Sequence, residues 1–125
     1  MRLYPLTEVK EFRLKLYVKD FGESKSFYQD FLGYPVIKEW DRGEQDKGLM
    51  FDTGTTVLEV LTPEDGYRSL QGVDVSLEVE DVWKLWGKVK DYKNVVFELR
   101  DNDWGDTSFK IKDPDGFGLT FFTRH

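Results

Sequence analysis

Cysteine is absent from this sequence, and histidine occurs once, as His125 at its last position. The first absence excludes disulfides, thiolate nucleophiles, iron–sulfur clusters and cysteine-type zinc sites. The second excludes mechanisms that need two histidines from one chain. It also excludes acyl transfer through a serine–histidine pair, since no histidine lies near Ser76 or any other interior serine. Long apolar runs are missing too: charged residues make up 34% and interrupt every hydrophobic stretch well before the ~20 residues that span a bilayer. A formal net charge of -6 with no Lys/Arg-rich segment lacks the attraction that draws proteins to phosphate backbones, so neither nucleic acid nor membrane is an expected partner. The opening Met1-Arg2-Leu3-Tyr4-Pro5 has no apolar stretch and no small-residue cleavage site, which points away from secretion and toward a cytoplasmic location.

What the sequence does contain is apolar material for one core, 39% hydrophobic and 16% aromatic in 125 residues, so residues 1–125 are expected to form one domain. Two segments within it read alike. Phe12, Leu14, Leu16 and Val18 alternate with Arg13, Lys15 and Tyr17, and Val73, Val75, Leu77 and Val79 alternate with Asp74, Ser76 and Glu78. Period two is the mark of a half-buried strand. Val18 and Val79 stand 61 residues apart, and so do Asp52 of Asp52-Thr53-Gly54 and Asp113 of Asp113-Pro114-Asp115-Gly116. Two landmarks at one spacing favour an internal repeat over coincidence.

Each opening strand is followed by a helical pattern. In the first, Ser24 is the expected N-cap, Phe27, Tyr28, Phe31 and Leu32 share a face, and Gly33 ends the helix. In the second, Val82, Leu85, Trp86 and Val89 fall on one face, with Gly87 inside at a cost of roughly 1 kcal/mol against alanine. Trp86 is expected in the core and Trp83 off the apolar face. Two more strands fit in each half, near 35–40 and 48–51, then 95–99 and 107–112, before closing strands over 56–61 and 117–122. Pro and Gly at the second and fourth positions of Asp113-Pro114-Asp115-Gly116 suit a type I turn. The expected fold class is α+β: two tandem strand–helix–strand–strand–strand modules, over about 12–62 and 73–123.

Tyr17-Val18-Lys19-Asp20 followed by Ser26-Phe27-Tyr28 and Phe31-Leu32-Gly33, then Trp104-Gly105-Asp106, Phe109 and Asp113-Pro114-Asp115-Gly116, resembles the vicinal oxygen chelate superfamily. Its members include glyoxalase I, extradiol dioxygenases, and fosfomycin- and bleomycin-resistance proteins. The resemblance covers 12–123. It implies two βαβββ modules forming a partly open curved sheet, the glyoxalase/bleomycin-resistance fold, with a ligand in the concave face and assembly as a homodimer. It also implies metal-ligand positions on the opening strands at Arg13 and Asp74, and on the closing strands at Glu59 and Thr120. Metal-dependent relatives place His at the opening positions and Glu or Gln at the closing ones, and here Glu59 alone matches. Arginine keeps its proton and has no lone pair for a cation. No metal and no other cofactor is therefore expected. In this reading the Arg13 guanidinium stands where relatives hold the metal, beside Glu59 and Asp74, or forms a salt bridge that keeps the halves in register.

Alternation places Arg13, Lys15 and Tyr17 on the face opposite the core, and an outer sheet face would show the same pattern. Taken with the resemblance, it leads to a metal-free small-molecule binding protein with a pocket for an anionic or aromatic ligand. Arg13 and Lys15 would receive the anionic group, because guanidinium forks suit carboxylate or phosphate. Tyr17, Trp40 and Trp104 would grip the ligand's body, and Asp74, Ser76 and Thr120 would complete the polar lining. Glu59 is the candidate catalytic base should there be a reaction. The alternative is a lyase, isomerase or dioxygenase of the same superfamily, using Glu59 with Asp74 as base or as ligands for a hard cation. A structural or regulatory dimer with no small ligand is the third possibility. Residues 1–11 carry no pattern that assigns them a role.

Overall fold

The computed structural model describes residues 7–125, so the first six residues of the segment 1–11 lie outside the described residues. The chain divides into two compact units, one ending at Arg68 and the other spanning Ser69–His125. Each is an open four-stranded sheet with a short helix on one face, and the class is α+β.

In the first unit β1 (Arg13–Tyr17) is followed by α1 (Phe21–Lys25), β2 (Val36–Asp41), β3 (Lys47–Asp52) and β4 (Val57–Leu61), with sheet order β1-β4-β3-β2. β1 runs parallel to β4, and the other pairs are antiparallel. The period-two pattern sorts the two faces as expected. Leu16 and Val18 are buried, whereas Arg13, Lys15 and Tyr17 are exposed.

Helix α1 begins one turn earlier than the sequence suggested. Asp20 is the N-cap, extended at φ -126°, and its carboxylate accepts the N–H of Glu23 at 3.0 Å. Ser24 is instead buried inside the helix, its N–H bonded to the Asp20 carbonyl. Aspartate and serine cap comparably well, so sequence alone does not choose between Asp20 and Ser24. From Ser26 to Phe31 the helix widens into a π turn, in which the Leu32 N–H reaches the Phe27 carbonyl. Phe27 and Tyr28 are driven into the core there, their rings edge to face at 4.8 Å, with Tyr28 against Phe51. Gly33, at φ 78°, stops the helix in the left-handed conformation that a side chain resists.

The second unit repeats the plan with β5 (Asp74–Glu78), α2 (Val82–Val89), β6 (Val95–Asn102), β7 (Asp106–Lys112) and β8 (Gly118–Arg124), in the order β5-β8-β7-β6. Asp81 caps α2 as Asp20 caps α1, accepting the N–H of Lys84. Val82 and Val89 are buried, and Trp86 is half-buried with its ring 5.1 Å from Phe109. Trp83 is exposed.

The two closing hairpins differ by one residue. Thr53 bonds Thr56 across the first, and Asp113 bonds Phe117 across the second. In the second, the Gly116 N–H also meets the Asp113 carbonyl and Gly116 lies at φ 86°. This is a type I turn completed by a left-handed glycine, a common three-residue hairpin. The opening and closing strands therefore keep the 61-residue offset, with Lys15 beside Glu59 and Ser76 beside Thr120, while β3 and β7 correspond one residue closer.

Candidate functional site

In the first unit the face of the sheet away from the helix is set out in rows by strand register. Lys15, Glu59, Met50 and Lys38 lie side by side across the four strands. Tyr17, Leu61, Gly48 and Trp40 form the next row. One row has a cation at each end, and the other has an aromatic ring at each end.

Glu59 sits in the middle of this face, 8% exposed. Among the described residues its carboxylate receives no hydrogen bond, and the nearest cation is Arg13 Nη1 at 4.0 Å. Arg13 turns its Nε to the carboxylate of Glu11, and this hydrogen bond, ahead of the charge of Glu11 itself, holds the guanidinium above its ordinary range. The arginine is thus engaged mainly at the surface, with Glu59 at the limit of ion pairing.

The aromatic row opens into a concavity of about 520 Å³, where Lys15, Tyr17 and Trp40 meet Arg42, Lys47 and Glu64. Three of the residues singled out from sequence therefore share one hollow. Gly48 and the cations Lys38 and Arg42 were not singled out. The Trp40 indole lies on Gly48, while the Lys38 ammonium and the Arg42 guanidinium stand 5.8 and 5.9 Å from its ring centre. A lone glycine inside a strand pattern marks a close approach, and that was the available signal. Arg42 is itself bonded to Asp46 and Lys47 to Glu44. Lys15 and Lys38 have no carboxylate within ion-pair distance among the described residues.

In the second unit Ser76, Thr120, Lys110 and Phe97 share a row, and Asp74 lies beside Gly118. Asp74 has a counter-charge within its own unit, Lys110 Nζ at 2.8 Å. A side chain at position 118 would collide with this pair, its Cβ falling 2.8 Å from Lys110 Cε and 3.0 Å from Asp74 Cβ. Trp104 is 74% exposed on the β6–β7 turn and donates its indole N–H to Asp106, whose other oxygen accepts from Asn102. Among the described residues, no group of three or more Asp, Glu or His side chains is placed to hold a metal ion.

Comparison with known proteins gives a consistent picture. The family model described as Glyoxalase/Bleomycin resistance protein/Dioxygenase superfamily matches residues 11–121. An uncharacterized protein of Bacillus subtilis (strain 168), YraH, is 32% identical over 122 residues, covering 86% of this chain and 92% of its own. A member of the same superfamily from Sphaerobacter thermophilus shares the fold with a TM-score of 0.76 at 15% identity, over 94% of this chain and 98% of that one. A lactoylglutathione lyase from Agrobacterium tumefaciens does so with a TM-score of 0.72 at 18% identity, over 95% of each chain.

Proposed function

Because this chain belongs to the Glyoxalase/Bleomycin resistance protein/Dioxygenase superfamily, we propose that it binds a small anionic molecule without a metal, in the hollow over the first unit's sheet. The observation that carries this reading is the pair of ammonium groups, Lys15 and Lys38, at the two ends of one row on that face, with no carboxylate within ion-pair distance among the described residues. Unpaired cations beside a concavity attract an anion, and a charge-assisted hydrogen bond to one is about twice as strong as a neutral bond. Glu59 keeps its lone pairs for a hydroxyl or N–H of the same ligand. Tyr17 and Trp40 supply the apolar walls.

The residues at the family's metal positions do not fit a divalent cation. In the first unit the opening position is Arg13, which offers no lone pair and carries a fixed charge. In the second, the opening position is Asp74, held by the Lys110 ammonium, and the closing position is Thr120, a weak metal ligand that lies beside Ser76. One observation favours a catalytic reading as second choice: Glu59 is a buried carboxylate that no donor among the described residues bonds, which suits it to take a proton from a bound carbon acid.

Calorimetric titration with a panel of carboxylates and phosphonates tests the binding reading. Binding is expected to weaken as salt rises, to fall roughly tenfold or more in Lys15→Met, and to survive prior treatment with chelator. Stoichiometric zinc or nickel in the purified protein, with binding abolished by its removal, would overturn it.

A further inference from the structure

The contact between Trp40 and Gly48 carries a conclusion about ligand class. A Cβ built on Gly48 would fall 1.9 Å from Trp40 Cζ2, 2.2 Å from Cε2 and 2.5 Å from Cη2. Three consecutive ring atoms this close to one point mean that the six-membered ring lies with its face on the strand, since an edge-on approach would bring one atom much nearer than its neighbours. Gly48 sits directly across from Trp40 on the adjacent strand, so the indole is folded flat over the sheet. One ring face is spent on backbone. The same ring also lines the hollow, with Lys38 Nζ and Arg42 Cζ 5.8 and 5.9 Å from its centre and Lys15 in the same hollow.

A flat indole whose neighbouring cations stand well beyond stacking distance of its centre offers a surface to a planar ring and an attractive field to its charged substituent. An alanine at position 48 would displace the indole from this pose, because the obstruction falls on rigid ring atoms and not on the end of a flexible chain. Resting on the anion-binding reading above, we propose that the site selects planar aromatic anions over saturated ones, and that Gly48 is the positioning residue that sets this selectivity through Trp40. The chemical class is an aryl carboxylate or its close equivalent, its ring on Trp40 and its charge toward Lys15 and Lys38.

The test uses two probes of equal charge and similar size, 2-naphthoate and its fully saturated analogue decahydro-2-naphthoate, titrated calorimetrically into the whole chain. Wild type is expected to prefer 2-naphthoate by about 3- to 10-fold, the range set by aromatic pairing. In Gly48→Ala and in Trp40→Leu the ratio of the two affinities should collapse toward one. Adding Gly48→Ala to Trp40→Leu should leave the affinity for each probe as in Trp40→Leu alone, whereas a general loosening of the sheet would weaken both. Equal binding of both probes to wild type overturns the selectivity and leaves the anion site standing. A preference that persists in Trp40→Leu overturns the role of the indole even if Gly48→Ala fails to fold. Binding of neither probe removes both this inference and the reading beneath it.

Discussion

The two units share a strand order and a cap, yet their open faces solve the same register in opposite ways. At the place of Trp40 over Gly48 in the first unit, the second carries Arg100 opposite Ser108. In the first, Lys15 and Lys38 have no carboxylate within ion-pair distance among the described residues. In the second, Lys110 holds Asp74 and Arg124 lies 3.4 Å from Glu78. Both of those acids are half-exposed, so such pairs stabilise little. What they do is give Lys110 and Arg124 a carboxylate each, while Arg100 lies over the Phe97 ring at 3.7 Å with no carboxylate in ion-pair distance among the described residues. A repeat that keeps its skeleton can thus carry an aromatic ring and two ammonium groups on one copy of a face, and ion pairs with a guanidinium on the other.

The sharpest way to probe the shared skeleton is to remove matched core side chains on the third strand of each unit. Leu49 and Phe109 occupy equivalent places, and both are 0% exposed. Phe109 stacks on Phe121 at 5.4 Å and meets Trp86, whereas Leu49 has no ring to lose. Phe109→Ala is expected to cost about 3–5 kcal/mol and Leu49→Ala about 2–5 kcal/mol, measured by urea unfolding. A loss under about 1 kcal/mol for Phe109→Ala would show that the second unit does not rest on this stack.

The hairpins sharpen the contrast at a smaller scale. Asp113 is buried, and its carboxylate accepts the N–H groups of Asp115 and Phe117, both at 2.9 Å. Asp52 is exposed and accepts the N–H of Gly54. Removing Asp113 strands buried donors, so Asp113→Ala should cost about 1–3 kcal/mol. Asp52→Ala leaves an N–H that water can reach, and should stay within about 0.5–1 kcal/mol. Equal losses in urea unfolding would erase the distinction between the two turns.

The strands were legible because their alternation is written residue by residue, from Leu14 and Leu16 to Val75 and Leu77. The repeat was legible because Asp52 and Asp113 begin similar turns. Ser24 misled because Asp20 caps equally well, and only the position of the chain in space decides which is first in the helix. The site was legible in part. Alternation sends Lys15 and Tyr17 to one face, but it does not say which residue of a distant strand lies beside them. Lys110 beside Asp74 and Gly48 beneath Trp40 depend on register between strands, which the one-residue difference in hairpin length shifts between the units.

The smallest expected difference concerns the tyrosines that follow each helix. The Tyr92 hydroxyl donates to the Lys112 carbonyl at 2.6 Å, so Tyr92→Phe should cost about 0.5–1.5 kcal/mol at neutral pH. No hydrogen bond is recorded for the Tyr34 hydroxyl among the described residues, and burial pushes its phenol above the ordinary value of 10.0. Tyr34→Phe should then be almost silent at pH 7. Because the folded state holds this phenol neutral above the pH at which the unfolded chain releases its proton, its contribution is complete below about pH 10 and declines as pH rises through the folded value. The variant has no such proton to lose. Urea unfolding at pH 7 and pH 11 should therefore show wild type losing more stability than Tyr34→Phe between the two, and parallel losses would mean that Tyr34 is as well solvated folded as unfolded.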